Sequence, residues 1–176
     1  MAMKKRIALI TGATRGIGKE ISLALAKEDI HVILLGRTIG ALEEISDKIH
    51  LNGGNATCVQ FDLNDLNKIY DLSQEIKERW GKLDILISNA AYLHNLTPLS
   101  HLSDKDWQIS ININLSANWL LIKYFEKLPS IPLRVMYFWC VAIVDCSNSG
   151  GNVIKRSSIC PISGVGHSTR PAISPK

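Results

Sequence analysis

The 176-residue chain has no CxxC pair and no HExxH, and its five histidines stand apart from its cysteines at 58, 140, 146 and 160. Zinc needs clustered thiolate or imidazole ligands, so no metal site is expected. Isolated thiols without a secretory context are expected to stay reduced, which implies a cytoplasmic location. Long apolar runs are missing too. Lys4-Lys5-Arg6 is followed by only four apolar residues before Thr11-Gly12. That is too short for the core of a signal peptide, and no stretch approaches a membrane span, so no membrane partner is expected. Clustered positive charge is the last absence. The formal net charge of +4 falls beyond residue 129, where Arg134, Lys155, Arg156, Arg170 and Lys176 face Asp145 alone. These charges are scattered, and a nucleic-acid partner is not expected.

What is present is an alternation of strand and helix. The hydrophobic fraction of 46% and charged fraction of 20% suit one globular domain with a sizeable core. Residues 7–10 predict a first strand, and residues 16–28 a helix with Ile17, Ile21, Ala24 and Leu25 on one face. HVILL at 31–35 predicts the second strand. Thr38 is placed to cap a helix carrying Leu42, Ile45 and Ile49, which Gly53-Gly54 stops. Residues 56–61 predict a third strand, and Leu66, Ile69, Leu72 and Ile76 a helix ending at Gly81. LDILIS at 83–88, apolar on both faces, predicts a strand buried between helix layers. Ser103 with Asp106 resembles a capping box. Behind it Trp107, Ile111, Leu115, Trp119, Ile122 and Phe125 predict one stripe of a long helix. The expected fold is α/β, a doubly wound parallel sheet of Rossmann-like form with right-handed crossovers. This alternating part is expected over 1–129. Residues 130–176 are expected to hold a fifth strand at 135–144 and then an irregular, Gly/Ser/Pro-rich tail.

TGATRGIG at residues 11–18 joins the first strand to the first helix. Backbone N–H groups of a first helical turn, with the positive end of the helix dipole, suit a pyrophosphate. Gly12 would allow a tight turn, Gly16 a close approach of backbone to phosphate, and Gly18 close packing of the helix.

These residues resemble the short-chain dehydrogenase/reductase family, whose first loop reads TGxxxGxG; Thr11, Gly12, Arg15, Gly16, Ile17 and Gly18 fall on it. Asp62-Leu63 ends the third strand, where the resemblance implies contact with adenine. Asn89-Ala90-Ala91 stands where the family carries NAG, with Ala91 in place of glycine. Asn114 in NLSANW matches the active-site asparagine; Asn112 is the competing candidate, and Leu115-Ser116 favours Asn114. The resemblance covers roughly residues 4–128 and implies a homo-oligomer acting on a small carbonyl or alcohol substrate. The cofactor choice follows from charge. NAD-selective folds end the second strand in an acid that binds the ribose hydroxyls. Here Gly36 and Arg37 stand there, with Arg15 in the loop, and two guanidinium groups suit the 2′-phosphate of NADP.

The family's chemistry needs a tyrosine with a lysine four residues on, and a serine about a dozen residues earlier. Tyr70, Tyr92, Tyr124 and Tyr137 are followed at that spacing by Gln74, Leu96, Leu128 and Val141, so YxxxK is absent. Counting along RVMYFWC puts Cys140 at the serine position, with Val153 and Ser157 where the pair would fall. Sixth and seventh strands have no periodic counterpart in the tail. The sheet is therefore expected to be incomplete on its C-terminal side, with the catalytic part missing, as a frameshift near residue 129 would leave it. Two classes remain open: an NADP-dependent oxidoreductase by ancestry, inactive without the pair, or a non-catalytic dinucleotide-binding or interaction protein, including a remnant without function.

Overall fold

The computed structural model describes residues 5–94, 98–127 and 134–137. Five parallel strands form one sheet: β1 (Ile7–Thr11), β2 (His31–Gly36), β3 (Asn55–Gln60), β4 (Ile85–Ser88) and β5 (Arg134–Tyr137). The spatial order is β3-β2-β1-β4-β5. β1 pairs with β2 on one side (Ala8 with Val32) and with β4 on the other (Ala8 with Ile85). The order reverses between β1 and β4, and such a switch point opens a crevice beyond the carboxyl ends of the strands.

The strands are apolar on both faces because each face meets its own helix layer. Ile7, Leu9, Ile33, Leu35 and Leu86 point to one side, against Ile69, Leu72 and Ile76 of α3 (Ile69–Trp80) and Leu121 and Phe125 of α5 (Ala117–Phe125). Ala8, Ile10, Val32, Leu34 and Ile87 point to the other, against α1 (Gly16–Lys27) and α2 (Ile39–Leu51) through Ala26, Leu42, Ile45 and Ile49. Burying one such Leu or Ile contributes about 1.5–3 kcal/mol. At the opposite end of the sheet Asp84 ties β1 to β4, accepting from the Ile7 N–H at 2.8 Å and pairing with Lys82 at 2.7 Å.

Several expectations change. The buried face of α1 is Gly18, Ser22 and Ala26, while Ile17 is 47% exposed. Small residues let α1 lie close to the sheet, and the larger side chains splay to its flanks. Thr38 is the N-cap residue of α2 without a capping bond from its side chain. The long helix is three pieces: α4 (Asp104–Ile111), a π-helical turn (Asn112–Ser116) and α5. The expected stripe holds only at its C-terminal end, where Phe125 is buried and Ile122 packs on the core. Ile113, Ala117, Leu121 and Phe125 face the core, while Trp107, Leu115 and Trp119 are about half exposed or more, at 53%, 48% and 58%. Ser103 caps α4 by accepting from the Asp106 N–H at 3.1 Å, as its spacing predicts. Of the fifth strand expected at 135–144, residues 138–144 lie outside the described residues, as does the tail expected to be irregular.

Candidate functional site

The crevice at the switch point is built from the loops after β1 and β4. Thr11 ends β1 fully buried, and its hydroxyl oxygen accepts from the Asn89 and Ala90 N–H groups, each at 3.0 Å. The Asn89 side-chain amide donates back to the carbonyls of Thr11 and Gly12, each at 3.1 Å. The loops are thus stitched together from both sides. Gly12 has φ +65°, and a Cβ there would stand 2.9 Å from the Ala90 Cα. A Cβ on Gly18 would overlap the Gly12 carbonyl oxygen and the Asn89 amide nitrogen. Gly16 has φ +56° and open space where its side chain would be.

α1 begins beside this junction. Its N-cap residue Arg15 makes no capping bond with its side chain, and no acid stands in the first turn. The positive end of the helix therefore has no built-in counter-charge, which suits an anion. Along the neighbouring strand ends, Arg37 follows β2 with its side chain exposed and its carbonyl accepting from Gln60 at 3.0 Å. A Cβ on Gly36 would lie 3.0 Å from the Thr14 methyl and 3.2 Å from Leu42, so a carboxylate side chain there would crowd the loop. Asp62 is exposed after β3 and accepts from the Asn64 N–H at 2.9 Å, while Leu63 beside it is buried in the core.

The two asparagine candidates separate cleanly. Asn112 donates to Asn64 at 3.0 Å, in the loop after β3. Asn114 reaches the loop after β4, where its Oδ1 accepts from the Tyr92 N–H at 2.8 Å and its Nδ2 donates to the Tyr92 carbonyl at 2.9 Å. It sits in the π-turn, a distortion that is rare and frequent at functional sites. Periodicity did not reveal that turn. Two further features went unread: Ser88 and Asn118, polar residues within apolar elements, and a cluster around Asp106. The Asp106 carboxylate accepts from Ser103 at 2.6 Å and Tyr92 at 3.1 Å, and meets His94 at 3.2 Å. The Ser103 hydroxyl leads in holding this carboxyl below its usual range, helped by Tyr92 and by the His94 and Lys105 charges, against partial burial. Burial first, then the Asp106 partner, pushes the Tyr92 phenol up. Cys140, Val153 and Ser157 lie outside the described residues.

A glycine loop entering a helix, stitched to an Asn-Ala-Ala loop at the reversal of a parallel sheet, agrees with comparisons of sequence. Residues 6–159 match the short chain dehydrogenase family. The chain belongs to the short-chain dehydrogenase family. Its match runs past residue 128, where the motifs alone placed the end of the resemblance. A 3-oxoacyl-[acyl-carrier-protein] reductase of Synechocystis is 32% identical over 128 residues, covering 72% of this chain and 51% of that protein. A hydroxynaphthalene reductase of Aspergillus fumigatus is 30% identical over 169 residues, 95% of this chain and 55% of the relative. Among solved structures, a short chain dehydrogenase from Shigella flexneri complexed with NADP has a TM-score of 0.70 at 29% identity, covering 75% of this chain and 57% of that one. The chain spans about half the length of the curated relatives it matches. Among the described residues no helix is long and apolar enough to cross a membrane, and no three His, Cys, Asp or Glu side chains gather as a metal site.

Proposed function

We propose that this chain is the NADP(H)-binding part of a short-chain dehydrogenase/reductase. The observation that carries the reading is the end of β2. Gly36 is no acid, a Cβ there would stand tight against the Thr14 and Leu42 side chains at 3.0 and 3.2 Å, and the next residue is Arg37. A carboxylate would select the two ribose hydroxyls of NAD, whereas a guanidinium binds 2′-phosphate oxygens in pairs. Several solved relatives carry bound NADP, which supports the same choice. In this reading the residues 11–18 loop and the N-terminus of α1 hold the pyrophosphate, with Gly16 leaving room for it. Arg15 and Arg37 hold the 2′-phosphate, and Asp62 with Leu63 borders the adenine. Thr11, Asn89 and Ala90 brace the junction beneath, and Ile17 lines it. The cofactor supplies a hydride when bound; Asn114 holds the loop after β4 that its nicotinamide half would meet.

The substrate class is a small carbonyl or alcohol, by family. The chain's 176 residues carry no tyrosine followed by lysine four residues on, so we expect it not to turn over such substrates by itself. The match to the hydroxynaphthalene reductase extends over 95% of this chain, past Cys140, so Ser157 or Ser158 stands beside Cys140 as a candidate for the serine. About a dozen residues beyond them Ala172 stands four before Lys176, so the lysine has a counterpart and the tyrosine does not. The chain is expected to work in the cytoplasm, where reduced thiols persist, and to self-associate through the exposed Trp107, Leu115 and Trp119. Fluorescence titration with NADPH and NADH, repeated on Arg37→Ala, tests the reading. A preference for NADPH that the substitution removes supports it, and equal affinities in the wild type refute it.

A further inference from the structure

Ser88 and Asn118 form a buried polar pair in an otherwise apolar wall, 3% and 9% exposed, with Leu86, Ala117 and Leu121 of the core beside them in sequence. The Ser88 hydroxyl donates to the Asn118 Oδ1 at 2.9 Å, and the Asn118 Nδ2 donates to the Asn114 carbonyl at 2.8 Å. Asn114 in turn grips both backbone polar groups of Tyr92. The hydrogen bonds therefore leave the β4 segment at Ser88 and return to it at Tyr92, closing a ring around residues 89–91. Replacing both partners of a buried pair by apolar groups of similar shape is close to neutral for stability. Fold stability alone thus gives little reason for this pair.

Residues 89–91 lie on the β4 side of the switch point. The adenosine ribose is read at the end of β2, so a dinucleotide spanning the crevice lays its other half over the end of β4. We propose that Asn118 is a positioning residue which, through this ring, fixes residues 89–91 and the Asn114 turn beneath the nicotinamide half of the cofactor. The inference rests on the NADP(H) reading above and adds a residue that the motifs do not contain.

The test uses the full chain with Asn118→Asp and with the apolar pair Ser88→Ala/Asn118→Leu. An aspartate at 118 keeps the acceptor for Ser88. When ionised it turns a bare oxygen toward the Asn114 carbonyl; when protonated it donates there and restores the ring. Tyr92, Asp106 and His94 are the titratable groups linked to the ring by hydrogen bonds. They are common to both proteins, so wild type at the same pH is the control. Two quantities are read above and below the titration of the new carboxyl: the exchange protection of the Tyr92 amide without ligand, and the affinities for NADPH and adenosine 2′,5′-bisphosphate. The ionised variant should lose about fivefold or more in Tyr92 protection and in NADPH affinity, the effect of one buried hydrogen bond. Bisphosphate binding should hold, and acidification should recover both losses. The apolar pair should fold, bind the bisphosphate normally and bind NADPH more weakly. Wild-type protection and NADPH affinity in the ionised variant would overturn the proposal. A wild-type chain that bound neither ligand would overturn the cofactor reading, and the exchange measurement alone would then uphold or overturn the hold of Asn118 on the loop.

Discussion

Gly18→Ala tests how the crevice is built. The new methyl would meet the Gly12 carbonyl oxygen and the Asn89 side-chain nitrogen together. Neither can yield cheaply. The carbonyl is backbone in a loop turned by φ +65° at Gly12, and the Asn89 amide holds two carbonyls at 3.1 Å. Overpacking of this kind costs about 1–3 kcal/mol. Displacing Asn89 costs about 1 kcal/mol more for each hydrogen bond lost, giving a total of about 2–5 kcal/mol. In urea that moves the unfolding midpoint down by about 1–2 M. Two other glycines calibrate the assay. Gly16→Ala meets nothing within 4 Å but keeps φ +56°, so it should lose about 1–2 kcal/mol to backbone strain alone. Gly40→Ala, in α2 with open space and no positive φ, should gain up to about 1 kcal/mol. A Gly18→Ala protein within about 0.5 kcal/mol of wild type would refute the packing of α1 on the two loops.

Three further outcomes are expected. Burial leads in holding the His31 imidazole below its ordinary value of 6.5, with the Lys5 charge next, and Trp80 and Thr57 flank the ring. Below about pH 6.5 the unfolded chain takes up a proton that the folded one resists, so stability falls with acid and is flat above that pH; urea titrations should show a slope that His31→Gln removes, and an unchanged slope would contradict it. The whole chain should oxidise NADPH negligibly with a panel of aldehydes and ketones, since a positioned proton donor is typically worth about 10²–10⁴-fold; ordinary turnover abolished by Asn114→Ala would show that another donor serves. Sedimentation should find the chain associated, and Trp107→Ser/Trp119→Ser should shift it toward monomer; a wild-type chain that is already a compact monomer would exclude this surface as a contact.

The strands were legible because parallel strands between two helix layers carry apolar side chains in both directions, as Ile7, Ala8, Leu9 and Ile10 do. α2 was legible for a related reason, its buried Leu42, Ile45 and Ile49 falling on one face. α1 misled because hydrophobicity favours Ile17 and Leu25, whereas close approach to the loops selects Gly18, Ser22 and Ala26. The α4–α5 stripe misled because large apolar side chains are not always the inward ones: Trp107, Leu115 and Trp119 are exposed while Ile113 and Ala117 are buried, and of the stripe Phe125 is buried and Ile122 packs on the core. Asn114 could be chosen over Asn112 from its neighbours in sequence, but its grip on Tyr92 joins residues 22 apart and has no local signature. The ring through Ser88 and Asn118 is equally non-local. A polar residue within an apolar strand, and another within an apolar helix, were its only trace.

In the proposed reading this crevice binds NADP(H) and selects it by the 2′-phosphate. The most direct measurement is a paired titration of the full chain with NADPH and NADH, carried through Arg37→Ala and Gly36→Asp. Each charged hydrogen bond to the phosphate is worth about 1.5–3 kcal/mol, so NADPH should bind wild type at least about tenfold more tightly. Arg37→Ala should cut that ratio by about tenfold. Gly36→Asp should weaken NADPH further, by setting a carboxylate beside the phosphate against Thr14. Equal affinities for the two cofactors in the wild type, or a ratio that neither substitution changes, would contradict the account.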